Sequence, residues 1–209
     1  MFKFLQRFKK KPEPQPDPID NIRILVFADL HAYDKELIDE GLDATYDMCV
    51  VLGDIPEDAL RYIKERIGNR FLLGVVGNHD DWELLKRVGI QDMNGVTSGY
   101  YHTSIAGIGG SSLYKRSPNA MMSQEECIRL AEAMPPANIL ISHDSPWHMF
   151  GTDDAHCGMQ GITKYLENDK VKLHICGHHH VTKNNGKTVC VYGCAVVHYP
   201  TGAYMPIHK

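Results

Sequence analysis

The chain has 209 residues and a formal net charge of −4, from 22 basic and 26 acidic side chains. That length suits one large α/β domain and leaves no room for a second full one, and the acidic balance provides no field for gripping a nucleic-acid backbone. No apolar run reaches the roughly 18 residues of a transmembrane helix, and six cysteines, set mostly inside apolar runs, read as reduced thiols of a cytoplasmic protein rather than a disulfide framework.

Residues 1–11 mix lysine and arginine with Phe2, Phe4, Leu5 and Phe8 and lack the uninterrupted apolar stretch of a secretory signal. Residues 12–18 alternate proline with polar residues, as a stiff extended linker does. A flexible basic tip and linker over 1–18 is therefore expected, followed by one folded domain over 19–209. The tip reads as a solvated chain end, with docking on an acidic surface as the alternative.

Ile22 to Ala28 predicts the first buried strand, 34–42 a short helix, Met48 to Leu52 a second strand, and 56–67 a helix with Pro56 in its first turn and Gly68 as its stop. Phe71 to Val76 is the third strand. This βαβαβ order predicts a parallel sheet. From Gly95 to Gly110 the pattern alternates without helices, the start of a second sheet. Ser123 to Glu126 spells a capping box for a helix to about Met134, stopped by Pro135 and Pro136. The strand from Asn138 to Ser142, a helix near 160–168, the strand from Val171 to Cys176 and alternating strands over 187–198 complete the chain.

Five polar segments punctuate this order: Asp29-Leu30-His31, Gly53-Asp54, Gly77-Asn78-His79-Asp80, Ser142-His143 and Gly177-His178-His179-His180. They fall at strand ends, so their side chains are expected to converge on one edge of a sheet. Asp, His and Asn together supply the hard oxygen and borderline nitrogen donors of a two-metal site.

The order and spelling resemble the calcineurin-like metallophosphoesterase superfamily, whose pattern is D-x-H, G-D, G-N-H-[DE], H and G-H-x-H. The likeness runs from Asp29 to His180. It implies a four-layer α/β/β/α sandwich, two mixed sheets flanked by helices. It further implies that Asp29, His31, Asp54 and His180 hold one metal and that Asp54, Asn78, His143 and His178 hold the other, with Asp54 as the bridge. The imidazoles favour Mn, Fe or Zn, with Mg or Ni as further options. In such a site a hydroxide bridging the metals attacks phosphorus, and His79 protonates the leaving group. Asp80 is expected to orient the His79 ring or to cap the following helix, and His179, by alternation, to point away from the metals.

Three further residues are candidate substrate contacts: His156 in the loop Asp153 to Gly158, and Lys115 and Arg116 after Gly109-Gly110. His102, His174 and His198 sit in strand-like runs and read as sheet residues. The second segment continues Ile55-Pro56-Glu57-Asp58 without the arginine of protein phosphatases, and the third ends in Asp80 rather than Glu. Both departures tilt the resemblance toward the small bacterial, archaeal or phage-type phosphodiesterases, acting on a small-molecule phosphoester. A phosphomonoesterase, a protein or nucleotide phosphatase, and a non-catalytic interaction scaffold of the same fold are the alternatives. Oligomeric state is not legible.

Overall fold

A computed structural model describes residues 21–68 and 70–207. The expectation of a tip and linker over 1–18 lies outside the described residues. In chain order the elements are β1 (Ile22–Ala28), α1 (Lys35–Asp43), β2 (Met48–Val51), α2 (Glu57–Ile67), β3 (Leu72–Gly74), α3 (Leu84–Val88), β4 (Gln91–Asp92), β5 (Thr97–Tyr100), β6 (Thr103–Ile108), β7 (Ser111–Ser112) and β8 (Met121–Met122). There follow α4 (Gln124–Ala133), β9 (Ile139–Ser142), α5 (Gln160–Leu166), β10 (Leu173–Cys176), β11 (Lys183–Asn185), β12 (Thr188–Cys190), β13 (Gly193–Tyr199) and β14 (Ala203–Ile207).

Local chemistry sets several of these boundaries. Asp34 caps α1 by accepting the Leu37 N–H at 3.1 Å. Ser123 and Glu126 close the expected capping box of α4. Pro56 is the N-cap of α2 rather than a residue of its first turn. Glu57 and Asp58 begin that helix, Lys64 and Arg66 end it, and Gly68 stops it at φ 64°.

The strands form two six-stranded sheets, ordered β14-β13-β1-β2-β3-β4 and β11-β12-β10-β9-β6-β5, with β7 and β8 as a small parallel pair. β1 to β4 run parallel, as the βαβαβ order requires. The parallel reading of this sheet is incomplete, however. β13 pairs antiparallel along the whole of β1, from Ile22 opposite Tyr199 to Ala28 opposite Gly193, so the sheet is mixed. In the second sheet β12, β10, β9 and β6 are parallel, and antiparallel β11 and β5 form its edges.

Alternation along each strand builds the layers. Ile22, Ile24, Val26 and Ala28 of β1 meet Ile139, Ile141, Leu173 and Ile175 of the second sheet in the core between the sheets. Leu25 and Phe27 face the other way, onto Ile38, Leu60 and Ile63 of α1 and α2. Behind the second sheet, Leu140 packs with Cys127, Ala131, Ile162 and Tyr165 of α4 and α5. Burying each such aliphatic side chain contributes roughly 1.5–3 kcal/mol. The result is the expected four-layer α/β/β/α sandwich. No helix among the described residues is long and apolar enough to cross a membrane.

Candidate metal centre

The candidate ligands follow β1, β2 and β3 in one sheet and β9 and β10 in the other. The site therefore straddles the common end of two packed sheets, not the edge of a single sheet as expected. Asp29, His31, Asp54, His178 and His180 all adopt positive φ, between 43° and 71°. A left-handed non-glycine residue costs of order 1–3 kcal/mol and persists only where its surroundings enforce it. Here interlocking turns do so, with the Asp29 N–H donating to Gly53 O and the His31 N–H to Asp54 O, both at 3.1 Å. Glycine is required at 77, where a Cβ would collide with the Asp54 carboxylate and backbone.

Two groups of donor atoms, each mutually within 4.8 Å, lie over these turns: Asp29 with His31 and His180, and Asp29 with Asp54 and His143. The Nε2 atoms of His31 and His180 are 2.8 Å apart. Asp29 Oδ2 accepts the His178 N–H at 2.8 Å, while buried Oδ1 has no hydrogen-bond partner among the described residues. Burial pushes this carboxyl up to about 7, aided by the charges of Asp54 and Asp80 and opposed by His143.

His143 is wholly buried, and its Nδ1 lies 2.7 Å from the Leu52 carbonyl. A carbonyl only accepts, so Nδ1 donates, and Nε2 faces a second acceptor, Asn78 Oδ1, 2.8 Å away. The Asn78 amide NH₂ is committed to Tyr114 Oη at 3.2 Å. Burial opposes protonation of His143, but the Asp54 and Asp29 carboxylates outweigh it and its pKa is raised. An orphaned carboxylate oxygen, two facing imidazole nitrogens and an imidazole facing an amide oxygen all call for positive charge. Oxygen and imidazole donors in this mixture fit divalent transition-metal cations.

The remaining residues of the set are placed unevenly. His178 packs its ring 4.9 Å from that of His143 and directs Nε2 at the Ala155 carbonyl, 2.7 Å away, leaving Nδ1 for other partners; it is in neither donor group. Burial pulls its pKa down to about 4. His180, more open, is lowered by burial and by His31. The donor groups share Asp29, while Asp54 Oδ1 takes the His79 N–H at 2.8 Å and Oδ2 lies 3.5 Å from His143 Nε2. His179 points away from the donors, its Nε2 2.9 Å from Ser145 Oγ.

The His79 side chain is 58% exposed, its Nε2 3.9 Å from Asp54 Oδ2. Asp80 neither orients that ring nor caps α3. Its Oδ2 instead accepts the backbone N–H groups of Gly77 at 2.7 Å and Asp54 at 2.9 Å, because the tight approach of these turns leaves both donors otherwise unpaired. Burial raises the Asp80 pKa to about 6. The His156 ring lies tilted against that of His178, centroids 5.1 Å apart, with Nδ1 held by Asp153 at 2.9 Å. Lys115 and Arg116 are exposed beside a cleft with Leu113, Tyr114 and Ser117, and among the described residues no bond ties either of them to the donor residues. His174 is a buried sheet residue bonded to Ser142 and Thr188, as expected.

Sequence reasoning missed Tyr114, which holds Asn78, and Tyr192, whose ring lies 5.1 Å from that of His180. An isolated tyrosine in a loop carries no signal of either contact. It also missed Asp144, a charged residue directly after a strand and a candidate ligand, which is wholly buried.

The sandwich and its donor groups define a protein able to hold divalent metal at the common end of two sheets. The sequence model of the family described as calcineurin-like phosphoesterase matches residues 22–182, and the chain belongs to that family. It is a metal-dependent phosphoesterase. Among solved structures it is similar to a calcineurin-like phosphoesterase, YfkN from Bacillus subtilis, at 13% identity over 88% of this chain and 87% of that one, with a TM-score of 0.49. It is also similar to a single mutant of Vps29 from Entamoeba histolytica, at 16% identity over 90% of this chain and 80% of that one, with a TM-score of 0.44. No curated protein matches the chain.

Proposed function

We propose that the chain is a phosphodiesterase acting on a small-molecule diester, with Asp29, His31, Asp54 and His180 holding one divalent cation and Asp54, Asn78, His143 and His178 a second. The imidazole content suits Mn, Fe or Zn. Cations bound there supply Lewis-acid charge to the phosphoryl oxygens and an activated water. His79 supplies the proton for the leaving oxygen: as the ester P–O bond breaks, Nε2–H passes its proton to the departing oxygen and regains one from water. The exposure of this ring at the rim of the donor groups, with its backbone N–H fixed on Asp54, supports that role.

The observation that carries the diester reading is the state of Arg87. The cleft beside His31, Asp54 and His79 has a volume of about 400 Å³ and includes Glu57, Asp81 and Arg87 in its wall. The guanidinium is taken up by Asp81 at 2.6 and 2.8 Å and by Glu57 at 3.3 Å. A monoester dianion would enter an acidic rim without a free arginine to meet it, whereas a diester brings one charge fewer. Six unpaired thiols support a reducing, cytoplasmic setting.

The test compares bis(4-nitrophenyl) phosphate with 4-nitrophenyl phosphate on Mn-loaded protein. A kcat/KM at least about tenfold higher for the diester is expected. A ratio favouring the monoester would overturn the diester reading, and no turnover of either ester with Mn, Fe, Zn or Mg would restore the scaffold.

A further inference from the structure

A block of buried polar side chains lies one residue beyond the candidate ligands on both turns of the second sheet. Asp144 and Ser145, which follow His143, are both fully buried, and the His179 side chain, between His178 and His180, is 5% exposed. The Ser145 hydroxyl has one proton, which it gives to the Pro146 carbonyl at 3.1 Å. Its oxygen therefore accepts at 2.9 Å from His179, which fixes the proton of that ring on Nε2. The same N–H faces Asp144 Oδ1 at 3.6 Å. Asp144 is held in turn by the backbone N–H groups of Ser145 at 2.7 Å and Ser112 at 3.3 Å. Phe150 and His178 flank the His179 ring, at 5.4 and 5.3 Å.

We infer that His179 and Asp144 are positioning residues, a latch between the turn after β10 and the turn after β9 that fixes His178 relative to His143. Their need for one arises from how the two imidazoles are held. The His143 ring hangs from the Leu52 carbonyl in the first sheet, and the His178 ring from Ala155 in a long loop. Neither ring contact joins one turn to the other. The backbone does so through the Gly177 N–H on the His143 carbonyl at 2.9 Å, but that bond leaves both rings free to turn. The side-chain bond that joins the turns is His179 to Ser145, reinforced by the buried Asp144 charge. The opposite half of the centre has its own tie in His180 against His31, and the His178 N–H on Asp29 holds the His178 backbone but not its ring. Loss of the latch therefore falls mainly on the half that contains His143 and His178. Removing His179 also leaves the fully buried Asp144 carboxylate without its side-chain partner.

This inference rests on the ligand sets proposed above, and its test separates the two. Full-length protein stripped of metal is titrated with Mn²⁺ by calorimetry, and its thermal midpoint is recorded without metal, for wild type, His143→Ala, His179→Ala, His179→Gln and Asp144→Asn. His179→Ala should keep one site at wild-type affinity and weaken the other about 10- to 100-fold. His179→Gln, whose amide still donates to Ser145, should recover most of that loss, and Asp144→Asn should weaken the same site. Two sites of wild-type affinity in His179→Ala would overturn the latch, as would equal weakening of both sites or no recovery by Gln. Should His179→Ala not fold, the site weakened in Asp144→Asn and spared in His179→Gln carries the same decision. Two intact sites in His143→Ala would instead overturn the ligand sets.

Discussion

Asp29, at the end of β1 in one sheet, accepts the backbone N–H of His178, at the end of β10 in the other, at 2.8 Å. One carboxylate oxygen thus ties the sheets together where the donor atoms meet, while the other is buried with no partner among the described residues. The site is built around a charge it does not itself neutralise.

That imbalance sets a pH dependence for the metal-free protein. The Asp29 carboxyl titrates near 3.8 when unfolded and at about 7 when folded. Between these values the folded chain keeps a proton that the unfolded chain has lost, so the stabilisation is full below the lower value and is lost as pH rises through the upper one. Asp29→Asn removes this dependence. In chelator, it should exceed wild type by about 2 to 4 kcal/mol at pH 8 and match it near pH 4, as read by urea denaturation. A gap independent of pH would refute the assignment.

Metal should reverse that order. Wild type reconstituted with Mn²⁺ should retain two ions per chain by elemental analysis and gain about 2.7 kcal/mol from each site at a free metal concentration of a hundred times that site's Kd. Asp54→Asn should be the most damaging single ligand change, because the proposed sets share that carboxylate. Retention of both ions in Asp54→Asn would remove it as the bridge.

His79→Ala should keep the fold and both metals yet lose roughly 10²- to 10⁴-fold in rate on diesters with poor leaving groups. The loss should shrink for nitrophenolate, which departs without a proton. Equal losses on good and poor leaving groups would end the general-acid role.

Gly77→Ala should cost about 2 to 4 kcal/mol, because the added methyl displaces the Asp54 carboxylate and its backbone. Metal retention should fall with it. A variant as stable as wild type would show that the turns after β2 and β3 can separate.

Much of this was legible in advance because it depends on local rules. Alternation in Ile22 to Ala28, the capping box at Ser123 and the glycines before Asp54 and Asn78 each name their structure within a few residues. Placement across the molecule was not legible. Nothing within residues 193–199 says that they return to β1, and nothing around Asp80 says that its carboxylate serves two backbone N–H groups rather than the neighbouring imidazole. Those outcomes depend on which unpaired donors the fold brings near, and that is settled by tertiary packing. The same reasoning explains Tyr114, whose hydroxyl meets Asn78 only because the loop after β7 folds back to the turn after β3.

The pairing of β1 with β13 bears on how the chain is made. As synthesis proceeds, β1 can join β2 early, but its other flank stays bare until Gly193–Tyr199 has left the ribosome. The family match ends at residue 182, and every candidate metal ligand lies within it. A nascent chain halted there would hold all its ligands and still present the open edge of Ile22–Ala28, seven residues with Arg23 as their sole charge. Such an edge recruits other chains, so truncation before β13 should yield aggregates rather than a smaller enzyme.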